Sequence, residues 1–398
     1  SLFKLRATAN AVQDLPAEHT SLYRSNLTLD QLEHADAVLL IGNNLRHEAP
    51  LMNARIRKAF LKAANWAGGF IGGEKNGSMP NLNWDCEWLG CDVAALKKLT
   101  KSAFWKRFSE RSERPAIVIS NSVLMEHADG AVLWDQVSKL VNAMGERLVR
   151  PDWNGVCLVP RGASHVAALE LGWRGNSVAD KRKLQDCKVL LMIGSADSVV
   201  DQEGFLSSAR ADQIRIYLGH HADTGALSSH VILPTPAYTE KSATWVNLEG
   251  RVQSSTAASV PLGEAREDWQ VLRAIGDFAG VPMSYATADE LRLGRLKMLS
   301  PSLAETSTLS GKMHQIIPAS SWIAALLFSS MARVSKSSGH VPATPLGTTS
   351  IPDYYMTDVI SRASPTLAKC SIAFSMRSGL APKTTEEVDL LYQEALKQ

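Results

Sequence analysis

The stretch that decides the fold reads HVILPTPAYTEKSATWVNLEGRVQ and covers residues 230–253. It opens with a short apolar run, Val231–Leu233, which ends at Pro234 and Pro236. An apolar run of this length predicts a strand with both faces covered, and a proline marks the point where such a strand leaves its sheet. We therefore expect a buried strand here, followed by a polar segment.

The polar segment is typical of a β-hairpin. Two β-prone arms, Thr244–Val246 and Arg251–Gln253, flank the turn-prone residues Asn247–Gly250. Glycine tolerates backbone conformations that other residues avoid, so Gly250 is expected to occupy the strained turn position. Charged side chains usually stay exposed, which favours a solvated surface hairpin. In a dry interior, four residues would instead have to form a charge-paired network: Glu240, Lys241, Glu249 and Arg251.

Similar apolar strands recur upstream of this stretch. They are predicted at Ala37–Ile41, Ala116–Ile119, Val189–Gly194 and Ile214–Gly219. Helical patterns over residues 49–64 and 128–144 follow the first two. Strands that are apolar throughout are covered on both faces, and their alternation with helices predicts an α/β fold with doubly wound, mostly parallel sheets.

The same patterns divide the chain into three parts. We predict a first α/β unit over residues 1–110 and a second over residues 111–290, which includes the hairpin. Residues 291–398 are rich in Ser, Thr and Pro, and they predict a long irregular C-terminal arm with short helices. One such helix is expected over residues 356–363, before Pro365 interrupts it.

Composition argues against several classes of protein. Lys and Arg total 42 against 40 for Asp and Glu, so charge gives no reason to expect nucleic acid or an anionic membrane as a partner. The longest apolar stretch, Trp322–Phe328, is far shorter than the roughly 20 residues that span a bilayer, and no membrane span is predicted. Five scattered cysteines do not form a disulfide framework and indicate a reducing compartment.

The sequence offers no complete cofactor motif. An iron–sulfur cluster needs four thiolates, and Cys86 and Cys91 are the only two cysteines close together. Residues 68–75, GGFIGGEK, resemble a phosphate-binding loop, but Glu74 precedes Lys75 and would repel a phosphate. No dinucleotide fingerprint, nucleophile elbow or zinc-protease motif is present. We predict no catalytic residue, no cofactor-binding residue and no metal ligand in this chain.

One loop could still hold a metal or a small ligand. His220, His221 and Asp223 carry donors that metals use, and they follow a predicted strand. Adjacent histidines on an extended loop are expected to point apart, and a third close ligand is not evident. A structural, hydrogen-bonding loop is therefore the favoured interpretation, and a ligand- or metal-binding module is the alternative.

The hairpin stretch resembles a signature of the molybdopterin oxidoreductase superfamily. The matching residues are Glu240, Lys241, Thr244, Asn247, Glu249, Gly250, Arg251 and Gln253. Residues 237–244, AYTEKSAT, are similar to the version found in the 75 kDa iron–sulfur subunit family of respiratory complex I (NADH:ubiquinone oxidoreductase), mitochondrial type. Three further segments resemble the same family in the same order: residues 35–58, 219–226 and 355–364.

This resemblance implies an architectural role. The chain would be the C-terminal, molybdopterin-oxidoreductase-like region of such a subunit, in the peripheral arm of complex I on the matrix side of the mitochondrial inner membrane. The family's 2Fe-2S and 4Fe-4S clusters belong to an N-terminal region whose motifs are absent here. That cluster-bearing part, as the same or a separate chain, and the other peripheral-arm subunits are the expected partners. The chain would bind no cofactor while supporting electron transfer from NADH via FMN to ubiquinone in this proton-translocating enzyme.

A functional molybdopterin-dependent oxidoreductase large subunit is the enzymatic alternative. In such enzymes the hairpin region lies near the pterin. Many of them have glycine where this chain has Ala243, and the extra Cβ hinders a close backbone approach to a ligand. The resemblance therefore implies a vestigial pocket and a retained structural hairpin.

Overall fold

The structure, a computed structural model, describes residues 24–73, 79–120, 123–124, 130–160, 165–171, 184–194, 210–222, 224–299, 345–346, 355–356 and 359–377. Contacts divide the chain into two compact units. The first contains the described residues up to 171 together with 245–253 and 345–346, and the second contains 184–244, 254–299 and 355–377. The predicted boundaries at residues 110 and 290 do not coincide with these units, because strands on both sides of residue 110 pair in one sheet.

The first unit is built on a five-stranded parallel sheet. The strands of this unit are β1 (Ala37–Ile41), β2 (Ala67–Ile71), β3 (Glu87–Gly90), β4 (Pro115–Ser120), β5 (Val149–Arg150), β6 (Trp153–Asn154) and β7 (Val156–Val159). The large sheet has the order β3-β2-β1-β4-β7, while β5 and β6 form a separate antiparallel pair. Every residue of β1, β2, β4 and β7 is buried, as a parallel sheet with two covered faces requires. The strands predicted around residues 37–41 and 116–119 are confirmed.

Helices cover both faces of this sheet. They are α1 (Leu29–Leu32), α2 (Leu45–Glu48), α3 (Pro50–Lys62), α4 (Val93–Leu99), α5 (Ala103–Lys106), α6 (Gly130–Met144) and α7 (His165–Glu170). Alternation along β1 separates the two cores: Val38 and Leu40 pack with α1 and α3, whereas Leu39 and Ile41 pack with α4 and α6. The helices predicted over residues 49–64 and 128–144 are confirmed as α3 and α6. α3 is slightly shorter than predicted, and residues 128–129 lie outside the described residues.

The second unit contains a three-stranded parallel sheet. Its strands are β8 (Val189–Ile193), β9 (Ile214–Gly219) and β10 (Val231–Pro234), in the order β10-β9-β8. β10 lies at the edge, where Val231 is 43% and Ile232 is 54% exposed, so the expectation of a buried strand at residues 231–233 is wrong. An edge strand has a neighbour on one side only, and a short apolar run does not distinguish an edge strand from a central one.

The helices of the second unit extend into the predicted arm. They are α8 (Thr224–Leu227), α9 (Asp268–Phe278), α10 (Ala288–Leu299), α11 (Val359–Arg362) and α12 (Pro365–Arg377). The predicted short helix ends before Pro365, as expected, but Pro365 also begins α12, because a proline at the first helical position has no amide to lose. Residues 300–344, 347–354 and 378–398 of the predicted arm lie outside the described residues. None of the helices in the described ranges has the length and apolar character needed to cross a membrane.

Candidate functional site

The predicted hairpin forms, with β11 (Ala243–Val246) and β12 (Val252–Ser255) paired in a two-stranded sheet. Asn247 organises the turn, because its side-chain oxygen accepts hydrogen bonds from the amides of Glu249 and Arg251 at 3.1 and 2.8 Å. Gly250 has a φ of +82°, in the left-handed region that glycine tolerates. A Cβ at Gly250 would lie 2.3 Å from Nη1 of Arg24. The prediction that Gly250 takes the strained position is therefore confirmed.

Glu249 is a buried carboxylate at the tip of this hairpin, only 6% exposed. One of its oxygens accepts the backbone amide of Leu29 at 2.8 Å, and the other accepts the side-chain amide of Asn247 at 3.1 Å. Nε of Arg251 lies 3.3 Å from that second oxygen. Leu29 is the first residue of α1, where the amides have no partner within the helix and a negative charge is favourable. A solvated surface hairpin is therefore the wrong interpretation for Glu249.

The hairpin tip is anchored to the first unit through its backbone and apolar side chains as well. The amide of Ser25 donates to the carbonyl oxygen of Leu248 at 2.8 Å. Leu248 packs against the core that contains Trp153, and Val246 packs against the core on the other face of the sheet. Sequence reasoning missed these contacts, since Leu29 and Glu249 are 220 positions apart and nothing local relates them.

The first half of the signature belongs to the second unit and has other partners. Nζ of Lys241 bonds to the carboxylate of Asp268, the first residue of α9, and both side chains are about one-quarter exposed. The carboxylate of Glu240 accepts the amide of Ala237 at 3.1 Å and closes the turn after β10. Thr244 is exposed within β11. The expected network among the four charged residues is therefore wrong for Lys241, because its partner is Asp268. The only local sequence signal for Asp268 is that acidic residues are common in the first turn of a helix.

The two adjacent histidines face each other. Nδ1 of His220 lies 2.7 Å from Nδ1 of His221, and the rings are nearly perpendicular at 86°. The expectation that they point apart is wrong. One Nδ1 must donate and the other accept, because two protonated nitrogens cannot share this distance. Burial, followed by the neighbouring His221 and Lys241, lowers the pKa of His220, which favours the neutral form of the His220 ring. Asp223 lies outside the described residues.

A second group of charged residues lies next to residues 35–58, one of the segments that resemble the complex I subunit family. This segment contains β1 and most of α3. The carboxylate of Glu33, next to that segment, accepts hydrogen bonds from Nζ of Lys58 at 2.6 Å and from the guanidinium group of Arg55. Nζ of Lys62 lies 3.5 Å from the same carboxylate. Hydrogen bonds from Lys58 and Arg55 lower the pKa of Glu33 to about 2. In the same helix the side chain of Asn53 bonds to Trp84 and to the carbonyl oxygen of Leu82. These residues hold α3 in place.

Three of the described cysteines have thiols with a raised pKa. Burial, with a smaller effect of Glu87, raises the pKa of Cys86 to about 12. Burial also raises the pKa of Cys157 and of Cys187. Metals and electrophiles react with the thiolate, so these three side chains are poor ligands at neutral pH. Within the described ranges, no group of three or more His, Cys, Asp or Glu side chains has the arrangement to hold a metal ion.

Comparison with known proteins identifies the family to which this chain belongs. The family described as Molybdopterin oxidoreductase matches residues 4–278, about two thirds of the chain. The chain belongs to the molybdopterin oxidoreductase family. A second family, described as the C-terminal part of an NADH-ubiquinone oxidoreductase subunit, matches residues 316–370. The family membership agrees with the parallel α/β architecture of both units and with the resemblance found at the hairpin.

Several curated proteins are similar to this chain over most of its length. The NADH-ubiquinone oxidoreductase 78 kDa subunit of Candida albicans is 36% identical over 358 residues, 90% of this chain and 46% of that protein. The 78 kDa subunit of Neurospora crassa is 32% identical over 92% of this chain, and the NADH dehydrogenase [ubiquinone] iron-sulfur protein 1 of Solanum tuberosum is 32% identical over 89%. The chain spans about half the length of the curated relatives that it matches.

The family name implies a molybdenum–pterin group, and two features of the described residues are unfavourable for holding one. Burial raises the pKa of the thiols of Cys86, Cys157 and Cys187, which disfavours the thiolate that binds a metal. In open α/β sheets ligands bind beyond the carboxyl ends of the strands. At the end of β1 the side chain of Val123 lies close to Gly42, because a Cβ on Gly42 would lie 2.5 Å from it.

Proposed function

We propose that this chain is a non-catalytic, structural part of the peripheral arm of respiratory complex I, where it supports the iron–sulfur chain that carries electrons from NADH via FMN to ubiquinone. The observation that carries the proposal is the similarity over about nine tenths of the chain to subunits named for NADH-ubiquinone oxidoreductase. The match of residues 316–370 to a C-terminal family of the same enzyme supports this role.

The chemistry of the signature residues supports a structural role within that assembly. Glu249, Asn247 and Gly250 are committed to contacts inside the first unit, and Lys241 is committed to an ion pair inside the second. Residues that bind a substrate or cofactor keep donors and acceptors directed at it. Here Glu249, Asn247 and Lys241 of the family signature direct theirs at other parts of the chain.

The partners and the location follow from the same proposal. We infer that the chain assembles with a cluster-bearing N-terminal part of the subunit, as the same or a separate polypeptide, and with other peripheral-arm subunits. Three of the relatives are named as mitochondrial, which supports a place on the matrix side of the inner membrane. The near balance of 42 basic and 40 acidic residues supports protein partners rather than nucleic acid.

Purification of the tagged full chain from mitochondrial membranes tests this proposal. The expected result is that FMN, iron–sulfur clusters and NADH:ubiquinone activity co-purify with the chain in fixed proportion. Recovery of the chain without these groups, under conditions that keep complex I intact, would contradict it.

A working molybdopterin-dependent oxidoreductase is the second candidate, since the family match itself favours it. Metal analysis and pterin fluorescence of the same purified material separate the two. One molybdenum per chain would establish the second candidate and end the structural proposal. Iron without molybdenum is the result that the structural proposal predicts.

A further inference from the structure

The solvent-facing side of α3 carries large apolar side chains, where a surface helix normally carries polar ones. Leu51 is 71% and Leu61 is 63% exposed, and Ala54 and Lys58, which lie between them, are exposed as well. These four positions follow one another at intervals of three, four and three residues, the spacing at which one helix packs against another. We call this row of Leu51, Ala54, Lys58 and Leu61 the α3 stripe.

Basic side chains border the α3 stripe on both sides. Within α3 four residues are basic and none is acidic: Arg55, Arg57, Lys58 and Lys62. Because successive residues of a helix are rotated by about 100°, Arg55 and Lys62 lie on one side of the stripe and Arg57 lies on the other. The whole chain is nearly balanced, with 42 basic against 40 acidic residues, so this concentration of positive charge is a property of the helix.

Glu33 neutralises only part of this charge. Its buried carboxylate binds Lys58 and Arg55, and Nζ of Lys62 lies 3.5 Å from it, so one negative charge is shared among three cations. The side chains of Arg55, Lys58 and Lys62 are 40%, 52% and 58% exposed, and a further anion can still reach them. Arg55 and Lys58 are also held in place by Glu33, which reduces the entropy that a binding partner would have to remove.

We propose that the α3 stripe is a docking surface for an acidic amphipathic helix of another protein. Apolar side chains of that helix would pack on Leu51 and Leu61, which lie about 15 Å apart along the axis of α3. Its carboxylates would meet the basic residues on the two borders, and this charge complementarity selects an acidic partner. The inference goes beyond the proposed function and does not depend on which assembly contains the partner.

A protein fits this surface better than an anionic membrane does. A helix that lies in a membrane surface presents a continuous apolar face to the lipid. In the α3 stripe the two leucines are separated by Lys58, whose ammonium group is bound to Glu33 at 2.6 Å. Such an interrupted row suits the alternating apolar and charged side chains of a second helix.

Photo-crosslinking of the tagged full chain, purified with its natural partners, tests the docking. Benzoylphenylalanine in place of Leu61 is expected to crosslink to one acidic segment of a co-purifying protein, and peptide mass spectrometry identifies that segment. Benzoylphenylalanine in place of Leu262, which is 77% exposed in the second unit, is the matched control and is expected not to reach the same segment. A crosslink from position 61 only to lipid, only to a segment without acidic residues, or to nothing would overturn the proposal.

Charge reversal tests the role of the basic borders. Arg57→Glu is expected to lower the yield of the crosslink from position 61 about tenfold, because it places like charges against the partner. Reversal of the facing acidic residue of the partner to lysine is expected to restore the yield. Arg292→Glu, at a side chain of α10 that is 45% exposed, is the matched control and should leave the yield unchanged. An unchanged yield in Arg57→Glu, or a yield that the swapped pair does not restore, would overturn the proposal.

Discussion

The position of the hairpin tip depends on a single residue, Glu249. Glu249 combines a buried position with three hydrogen-bonding partners, and one of them, Leu29, is the first residue of α1. A buried carboxylate is tolerated only when its oxygens are satisfied, so this residue fixes where the hairpin tip lies. The signature could be found in the sequence. The contact of Glu249 with Leu29 could not be predicted from it, because the two residues are far apart along the chain.

Gly250 is expected to be intolerant of a side chain. Gly250→Ala should lower the free energy of unfolding by about 1–3 kcal/mol, because a φ of +82° is unfavourable for alanine and the Arg24 side chain would have to move away from the added Cβ. Gly263→Ala is the matched control: its φ is +54°, but nothing lies within 4 Å of the added Cβ. Urea unfolding of the two variants measures the difference. A Gly250→Ala variant no less stable than Gly263→Ala would show that the contact with Arg24 does not constrain the turn.

Glu33 is expected to contribute to stability in a defined range of pH. Lys58 and Arg55 lower its pKa in the folded chain to about 2 from an ordinary value of 4.5. The unfolded chain therefore takes up a proton first as the pH falls, and the stabilisation present above pH 4.5 is lost toward pH 2. Glu33→Gln should be less stable than the wild type above this range, and the difference should shrink within it.

Unfolding of both proteins by urea at a series of pH values checks this expectation. Glu264→Gln serves as the control, since the side chain of Glu264 is 90% exposed. A constant difference between wild type and Glu33→Gln from neutral pH to pH 2 would contradict the account of this ion pair.

At the level of elements, strands and helices could be predicted from periodicity, but the exposure of β10 could not. The apolar run of β1 and that of β10 look alike, yet β1 is the central strand of five and β10 is the edge of three. Burial of a strand depends on its neighbours, and these are set by topology rather than by the run itself. The histidine pair shows the same limit, because ring contact depends on side-chain rotamers that the sequence does not contain.

The contrast between these strands can be measured with one substitution at two sites. Ile117→Ala in β4 removes a fully buried side chain and should cost about 2–5 kcal/mol of unfolding free energy. Ile232→Ala in β10 removes a side chain that is 54% exposed and should cost less than about 1.5 kcal/mol. Equal losses at the two positions would mean that β10 is covered in solution on the side that Ile232 faces.

At the scale of the whole molecule, the family signature is shared between the two units. Its first half supplies the Lys241–Asp268 pair of the second unit, and its second half supplies the Glu249 anchor of the first. Family membership could therefore be predicted from the hairpin alone, while the division of the chain into units could not. Contacts between distant segments, such as the amide of Leu346 with the carbonyl oxygen of Cys91, define those units.

The central claim is that this chain supports the peripheral arm without taking part in its chemistry. Glu249→Gln removes the buried charge and should cost about 1–3 kcal/mol of folding free energy, whereas Glu264→Gln changes an exposed carboxylate and should have little effect.

The most direct measurement is the rate of NADH oxidation per FMN in arms assembled from each variant. The account predicts that Glu249→Gln lowers the amount of assembled arm while the rate per FMN equals that of Glu264→Gln and the wild type. Full assembly of the Glu249→Gln arm with a reduced rate per FMN would contradict it.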